Sequence, residues 1–174
     1  MKKLIKILVI VAAVLAVGYF VLKSWTKSHS PEDVAEITDG ELNIKVEYCQ
    51  PALKGRVIFG ELVPFDRVWR TGANEATIIS FSEDVKIAGE DLAAGEYSLW
   101  TIPREGDWSI IFNSQTGQWG TSYDEETDVL RVDVPAVQTE ESTELLKISL
   151  VDVDSAGISM NLKWDKTLVH VPIN

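Results

Sequence analysis

The densest set of side chains able to do chemistry lies in one word of the chain, Trp69-Arg70-Thr71-Gly72-Ala73-Asn74-Glu75-Ala76-Thr77, with Arg67 just before it. From Gln50 to Asn74 the chain holds four basic residues, Lys54, Arg56, Arg67 and Arg70, against two acids, Glu61 and Asp66. A guanidinium fork presents paired N–H donors that match a carboxylate or a phosphate, and Thr71, Asn74 and Glu75 would add hydrogen bonds. The competing structural reading pairs Arg70 with Glu75 or another acid, ties Asn74 to loop backbone and uses Trp69 to plug the core. Gln118-Trp119-Gly120 adds an aromatic in a turn-rich stretch. Exposed, Trp119 would stack on a sugar ring or a peptide; folded back, it would cover the end of the β-domain.

Catalytic and metal signals are absent from the sequence. Two distant histidines, His29 and His170, and one cysteine, Cys49, give no zinc or iron spacing. There is no nucleophile elbow, no phosphate-cradling glycine loop and no cofactor motif. Asp152 to Gly157 fails as a calcium loop, because its fifth position is Ala156 and its twelfth is Lys163 instead of a bidentate glutamate. Glu75 is the one carboxylate that suggests a hydrolase, acting with a second carboxylate and with Arg70 as an electrostatic clamp.

These residues must be positioned by strands. Almost every segment after residue 40 has period two. Leu42, Ile44, Val46 and Tyr48 alternate with charged and polar neighbours. Runs follow at Thr77–Phe81, Val85–Ile87, Tyr97–Ile102, Trp108–Asn113, Leu130–Val134, Leu145–Val153, Ile158–Trp164 and Thr167–Ile173. Turn signals separate them, and a helical turn is expected only at Glu140–Leu146. The pattern predicts an all-β fold, an antiparallel, jelly-roll-like β-sandwich of about nine strands.

Ahead of it, Leu4 to Leu22 is apolar apart from Lys6, with lysines on both sides. At about 1.5 Å per helical residue this run would span about 28 Å, near the roughly 30 Å of a bilayer core. One N-terminal transmembrane helix is therefore expected, with Lys6, Lys23 and Trp25 at the interfaces, the N-terminus in the cytoplasm and the domain outside, periplasmic or on the surface. The alternative is a signal peptide cleaved after Gly18 and a secreted product. The expected organisation is an anchor or signal over 1–27, a linker over 28–39 with a helical turn at Pro31–Ile37, and the β-domain over 40–174. Residues 28–174 carry a net charge of −16. That charge argues against nucleic acid and against docking on an anionic membrane. Cys49 has no second cysteine to pair with, so the fold stands on its core.

Long words between Gly55 and Val134 resemble the bacterial domain-of-unknown-function family 2911. They are Ile58-Phe59-Gly60-Glu61-Leu62-Val63-Pro64, Val68 to Thr77, Ala94 to Pro103, Trp108 to Asn113, Gln118-Trp119-Gly120 and Asp128 to Val132. The resemblance implies an exported or surface β-rich protein and no particular chemistry. The expected function is accordingly a membrane-anchored, extracytoplasmic, non-catalytic binding module for a glycan, a peptide or an envelope protein, with Arg67, Trp69, Arg70, Thr71, Asn74, Glu75 and Trp119 as its binding residues and with no cofactor or metal. The rivals are the Glu75 hydrolase and a structural or assembly protein.

Overall fold

The structure, a computed structural model, describes residues 2–154 and 157–174, and their side chains except those of Phe20 and residues 22–26. Its elements are α1 (Lys2–His29), β1 (Glu32–Asp39), β2 (Leu42–Cys49), β3 (Thr77–Phe81), β4 (Val85–Ile87), β5 (Glu90–Leu92), β6 (Gly95–Ile102), β7 (Asp107–Asn113), β8 (Asp128–Asp152) and β9 (Ile158–Ile173). All pairings are antiparallel, and the strand order is β1-β2-β3-β6-β7-β8-β9-β4-β5. The all-β antiparallel prediction of about nine strands holds at that level. The pairing runs through two ladders, β1-β2-β3-β6-β7-β8 and β8-β9-β4-β5, joined along β8, and by itself does not show the face-to-face packing of the expected sandwich.

Period two sets which faces are buried. Ile44, Val46 and Tyr48 of β2 and Thr77, Ile79 and Phe81 of β3 point inward, with their neighbours more exposed. In β6 and β7 the alternation gives way to continuous burial, because both faces of these central strands are covered. Leu99, Ile110 and Phe112 join the main core. Trp100 and Ile111 instead form a second, smaller cluster with Ala76.

β8 joins the two ends of the order. It pairs with β7 as far as Pro135 and with β9 from Ala136 onward. Proline lacks a donor, so a change of partner beside it leaves no ladder hydrogen bond broken. The far half of β8 then returns to the end of β2. The Tyr48 hydroxyl accepts from the Ile148 N–H at 2.9 Å and donates to Asp33 at 2.9 Å, while Leu53 N–H donates to the Glu144 carbonyl at 2.7 Å. One main core therefore takes residues from β2, β3, β7, β8 and β9.

Several expectations need correction. Residues 28–39 are not simply a linker, and no helical turn forms over 31–37: β1 pairs with β2 along its whole length. Ala35 and Ile37 supply the inward period, which Glu32, Asp33 and Glu36 dilute in the sequence. The β1–β2 hairpin closes on Gly40 at φ +60°, a conformation costly for other residues. The helical turn expected at Glu140–Leu146 is also strand, with register shifts against β9. The expected pairs of strands over 130–153 and 158–173 are each one long strand. The turn placed at Asp154–Gly157 includes Ser155 and Ala156, which lie outside the described residues, as do the side chains of Lys23 and Trp25.

Among the described residues no helix is long and apolar enough to cross a membrane. The transmembrane helix expected over residues 4–22 is thus reduced to a helix. Lys2, Lys3 and Lys6 occupy the first turns of α1. The charge-free run Ile7–Leu22 reaches about 24 Å along the helix, short of the roughly 30 Å hydrocarbon core. Its described apolar side chains are exposed all round, from 48% at Val11 to 67% at Leu15.

Candidate functional site

The word Trp69–Thr77 leaves a long loop and enters β3, held by two antiparallel bridges. Trp69 exchanges backbone hydrogen bonds with Thr101 of β6, at 2.7 and 2.8 Å. On the other side, Gly120 N–H donates to the Asn74 carbonyl at 3.0 Å and Ala76 N–H to the Gln118 carbonyl at 3.2 Å. The two words singled out in the sequence, 69–77 and 118–120, are therefore brought together by backbone pairing.

Between these bridges the backbone turns through two left-handed residues, Thr71 at φ +53° and Asn74 at φ +62°. Asparagine tolerates this conformation; for β-branched threonine it is a genuine outlier. Thr71 is fully buried and held from several sides. Its hydroxyl donates to the Thr101 hydroxyl at 3.2 Å, and its carbonyl accepts from the Thr77 hydroxyl at 2.9 Å. Trp69 Nε1 donates to the Gly72 carbonyl at 3.2 Å. Such strain, on the order of 1–3 kcal/mol, persists only where the surroundings fix it.

Those turns send Arg70 and Glu75 into different clefts. Arg70 lines a cavity of about 380 Å³ together with Arg67, Lys54 and Arg56, beside Trp69, Leu62, Val68 and Trp164. His29 and Ser30, where α1 ends, complete its wall, and no aspartate or glutamate lines it. Arg67 and Lys54 are exposed. Arg56 is held by the Ala52 and Leu53 carbonyls. The Trp69 ring stacks on Trp164 at 5.7 Å and 18°, with Phe59 edge-on to both at 6.0 Å. Trp69 is half-buried, so it is at once a core side chain and a wall of the cavity.

Arg70 donates from Nη1 to the Gly120 carbonyl at 3.2 Å, while its buried Nε has no hydrogen-bond partner. Burial lowers its pKa from the ordinary arginine value. The pairing of Arg70 with Glu75, which the structural reading of the sequence expects, is not formed. Asn74 Nδ2 and Gln118 Oε1 are likewise buried without partners. Buried polar atoms of this kind are few in folded proteins, and the three found among the described residues all belong to the two bridged words.

Glu75 lines the second cleft, about 390 Å³, with Glu32, Asp33, Glu47, Cys49 and Lys27. It lies 3.8 Å from Lys27 Nζ. Burial pushes the Cys49 thiol up, so it stays protonated at neutral pH. The hydrolase arrangement needs Glu75 and Arg70 on one substrate, and they line separate clefts. Trp119 is 46% exposed, is bridged to Glu75 through backbone and lines neither cleft.

Sequence reasoning missed Trp164 as a partner of Trp69, because nothing in a strand ninety-odd residues away marks it for that loop. The count of four cations from Lys54 to Arg70 was the available signal for the cavity. Among the described residues no group of three or more His, Cys, Asp and Glu could hold a metal ion.

The family model for proteins of unknown function, DUF2911, matches residues 30–173. No curated protein and no solved structure matches the chain.

Proposed function

Since the chain belongs to the DUF2911 family, whose description carries no activity, we propose from the site itself that the β-domain is a non-catalytic binding module for an anionic group, a carboxylate or a phosphate. The observation that carries this reading is the lining of the 380 Å³ cavity, four cations and no carboxylate in a chain of net charge −11. Acids stand nearby, with Glu144 accepting from the Lys54 N–H at 2.9 Å and Glu61 and Asp66 in the same loop, yet none lines the cavity. A cavity of that size suits a small ligand or one residue of a polymer. The cationic groups would fix the anion, and Trp69 with Val68 and Leu62 would cover an apolar or sugar face. An acidic glycan, or a peptide or envelope protein presenting a carboxylate, meets this chemistry.

The reading places the domain outside the cytoplasm, held at a membrane through α1 or released from it after cleavage. Its support is the exposed apolar surface of α1 and the lysines in its first turns. Alkaline extraction of membranes and N-terminal sequencing of the mature protein separate the two forms.

The functional test is a thermal-shift titration of the full chain with inorganic phosphate and with acetate. The midpoint should rise with either anion, and the rise should vanish in Lys54→Gln/Arg67→Gln, whose substituted side chains are exposed. No rise in the unmodified chain would reject the reading.

A further inference from the structure

The cationic cavity does not sit at a random place on the domain. His29 and Ser30, the point where α1 passes into the β-domain, are part of its wall. Along the loop from Lys54 to Val68, three exposed cations, Lys54, Arg56 and Arg67, share the surface with three exposed aliphatic side chains, Val57 (56% exposed), Leu62 (45%) and Val68 (36%), and with two acids. Val57 and Leu62 are neighbours through a backbone hydrogen bond of 3.3 Å. Of the two acids in that loop, Asp66 is taken by Arg104 at 3.1 Å, and Glu61 remains exposed.

Cations interleaved with exposed aliphatic side chains are the composition of a surface that lies in a headgroup layer. The charged groups meet lipid phosphate and the aliphatic groups dip below it. The helix leaving this same face exposes apolar side chains all round over Ile7–Tyr19, between its terminal lysines. We infer that the cavity formed by Lys54, Arg56, Arg67 and Arg70 takes the phosphate of an anionic lipid headgroup and so seats the domain, loop-first, on the membrane that α1 adjoins. This inference rests on the anion-binding reading and names its ligand.

The domain's negative charge, which argues against membrane docking when taken as a sum, acts differently once its distribution is known. Charges more than about 10 Å from the surface are largely screened at physiological salt, so the local loop governs contact. The acids elsewhere keep the other faces off the membrane. They turn a weak attraction into a single orientation.

The test reconstitutes the full chain into vesicles of phosphatidylcholine alone and of phosphatidylcholine mixed with phosphatidylglycerol, and follows amide hydrogen exchange over residues 54–70. Anionic vesicles should slow exchange there several-fold relative to neutral ones, and Lys54→Gln/Arg67→Gln should exchange equally in both. Equal exchange of the unmodified chain in the two vesicles overturns the lipid inference. Inorganic phosphate added to the neutral vesicles then decides the reading beneath it. Slowed exchange at the same residues leaves the anion cavity standing, with a soluble ligand. Unchanged exchange removes both.

Discussion

The Arg70 guanidinium donates to the Gly120 carbonyl at 3.2 Å, and Gly120 leaves no room for a side chain: a Cβ there would stand 1.9 Å from Arg70 Cδ and 2.7 Å from the Asn74 carbonyl oxygen. The glycine is thus the floor against which the cavity's one half-buried cation rests. Gly120→Ala must displace either Arg70 or the backbone of Asn74. It should destabilise the fold by about 1–3 kcal/mol, as overpacking does, and lower the midpoint by several degrees. It should also blunt the response to phosphate. Thermal melts with and without phosphate check both; an unchanged midpoint would mean that Arg70 is loosely held.

The left-handed turn at Thr71 depends on the Thr77 hydroxyl, which donates to the Thr71 carbonyl at 2.9 Å in a fully buried setting. Thr77→Val keeps the shape and removes the donor. The expected cost is about 1–3 kcal/mol, the penalty of a buried acceptor left unsatisfied. Chemical denaturation reads it directly.

Burial pushes the Tyr48 hydroxyl up to about 12, with its hydrogen bond to Asp33 acting in the same direction. The folded state therefore holds this proton more tightly than the unfolded chain, whose tyrosine titrates near 10. The stabilisation is fully present below pH 10 and is lost as the pH rises from about 10 to about 12, on the order of 2 kcal/mol. Tyr97 and Tyr123 shift in the same direction, so alkaline unfolding sums several groups. Tyr48→Phe isolates one of them. It should destabilise at neutral pH, because the Ile148 N–H loses its acceptor, and its stability should fall less steeply in that alkaline window.

Glu75 and Arg70 line separate clefts, so their neutralisation should separate too. Arg70→Gln should weaken phosphate binding on the order of tenfold, the worth of one charge-assisted contact. Glu75→Gln should change it less than about twofold, since what remains is a screened, longer-range effect. Isothermal titration distinguishes the two; equal losses would place Glu75 in the anion site.

Much of this arrangement is legible in the sequence where local rules decide. Thr77–Phe81 and Val85–Ile87 match their strands residue for residue, because β-branched and apolar alternation admits one register against a core. β1 escapes notice because carboxylates occupy positions where a hydrophobic pattern would show, and Asp33 is accommodated through Tyr48, Gln50 and the Val34 N–H. The joining of two expected strands into β8 depends on Pro135 marking a change of partner instead of an end. The cation count pointed to the loop whose Lys54, Arg56, Arg67 and Arg70 line one cavity. The separation of Arg70 from Glu75 was not legible. It depends on two left-handed residues between them, and for Thr71 that conformation runs against the residue's own preference.

The most direct measurement is a titration of the isotope-labelled full chain in detergent micelles with inorganic phosphate, followed by amide chemical shifts. The account predicts shifts confined to residues 54–56, 62–73 and the neighbourhood of Gly120, saturable and absent in Lys54→Gln/Arg67→Gln. Shifts centred on the Glu75 and Cys49 cleft, or none that saturate, would contradict it.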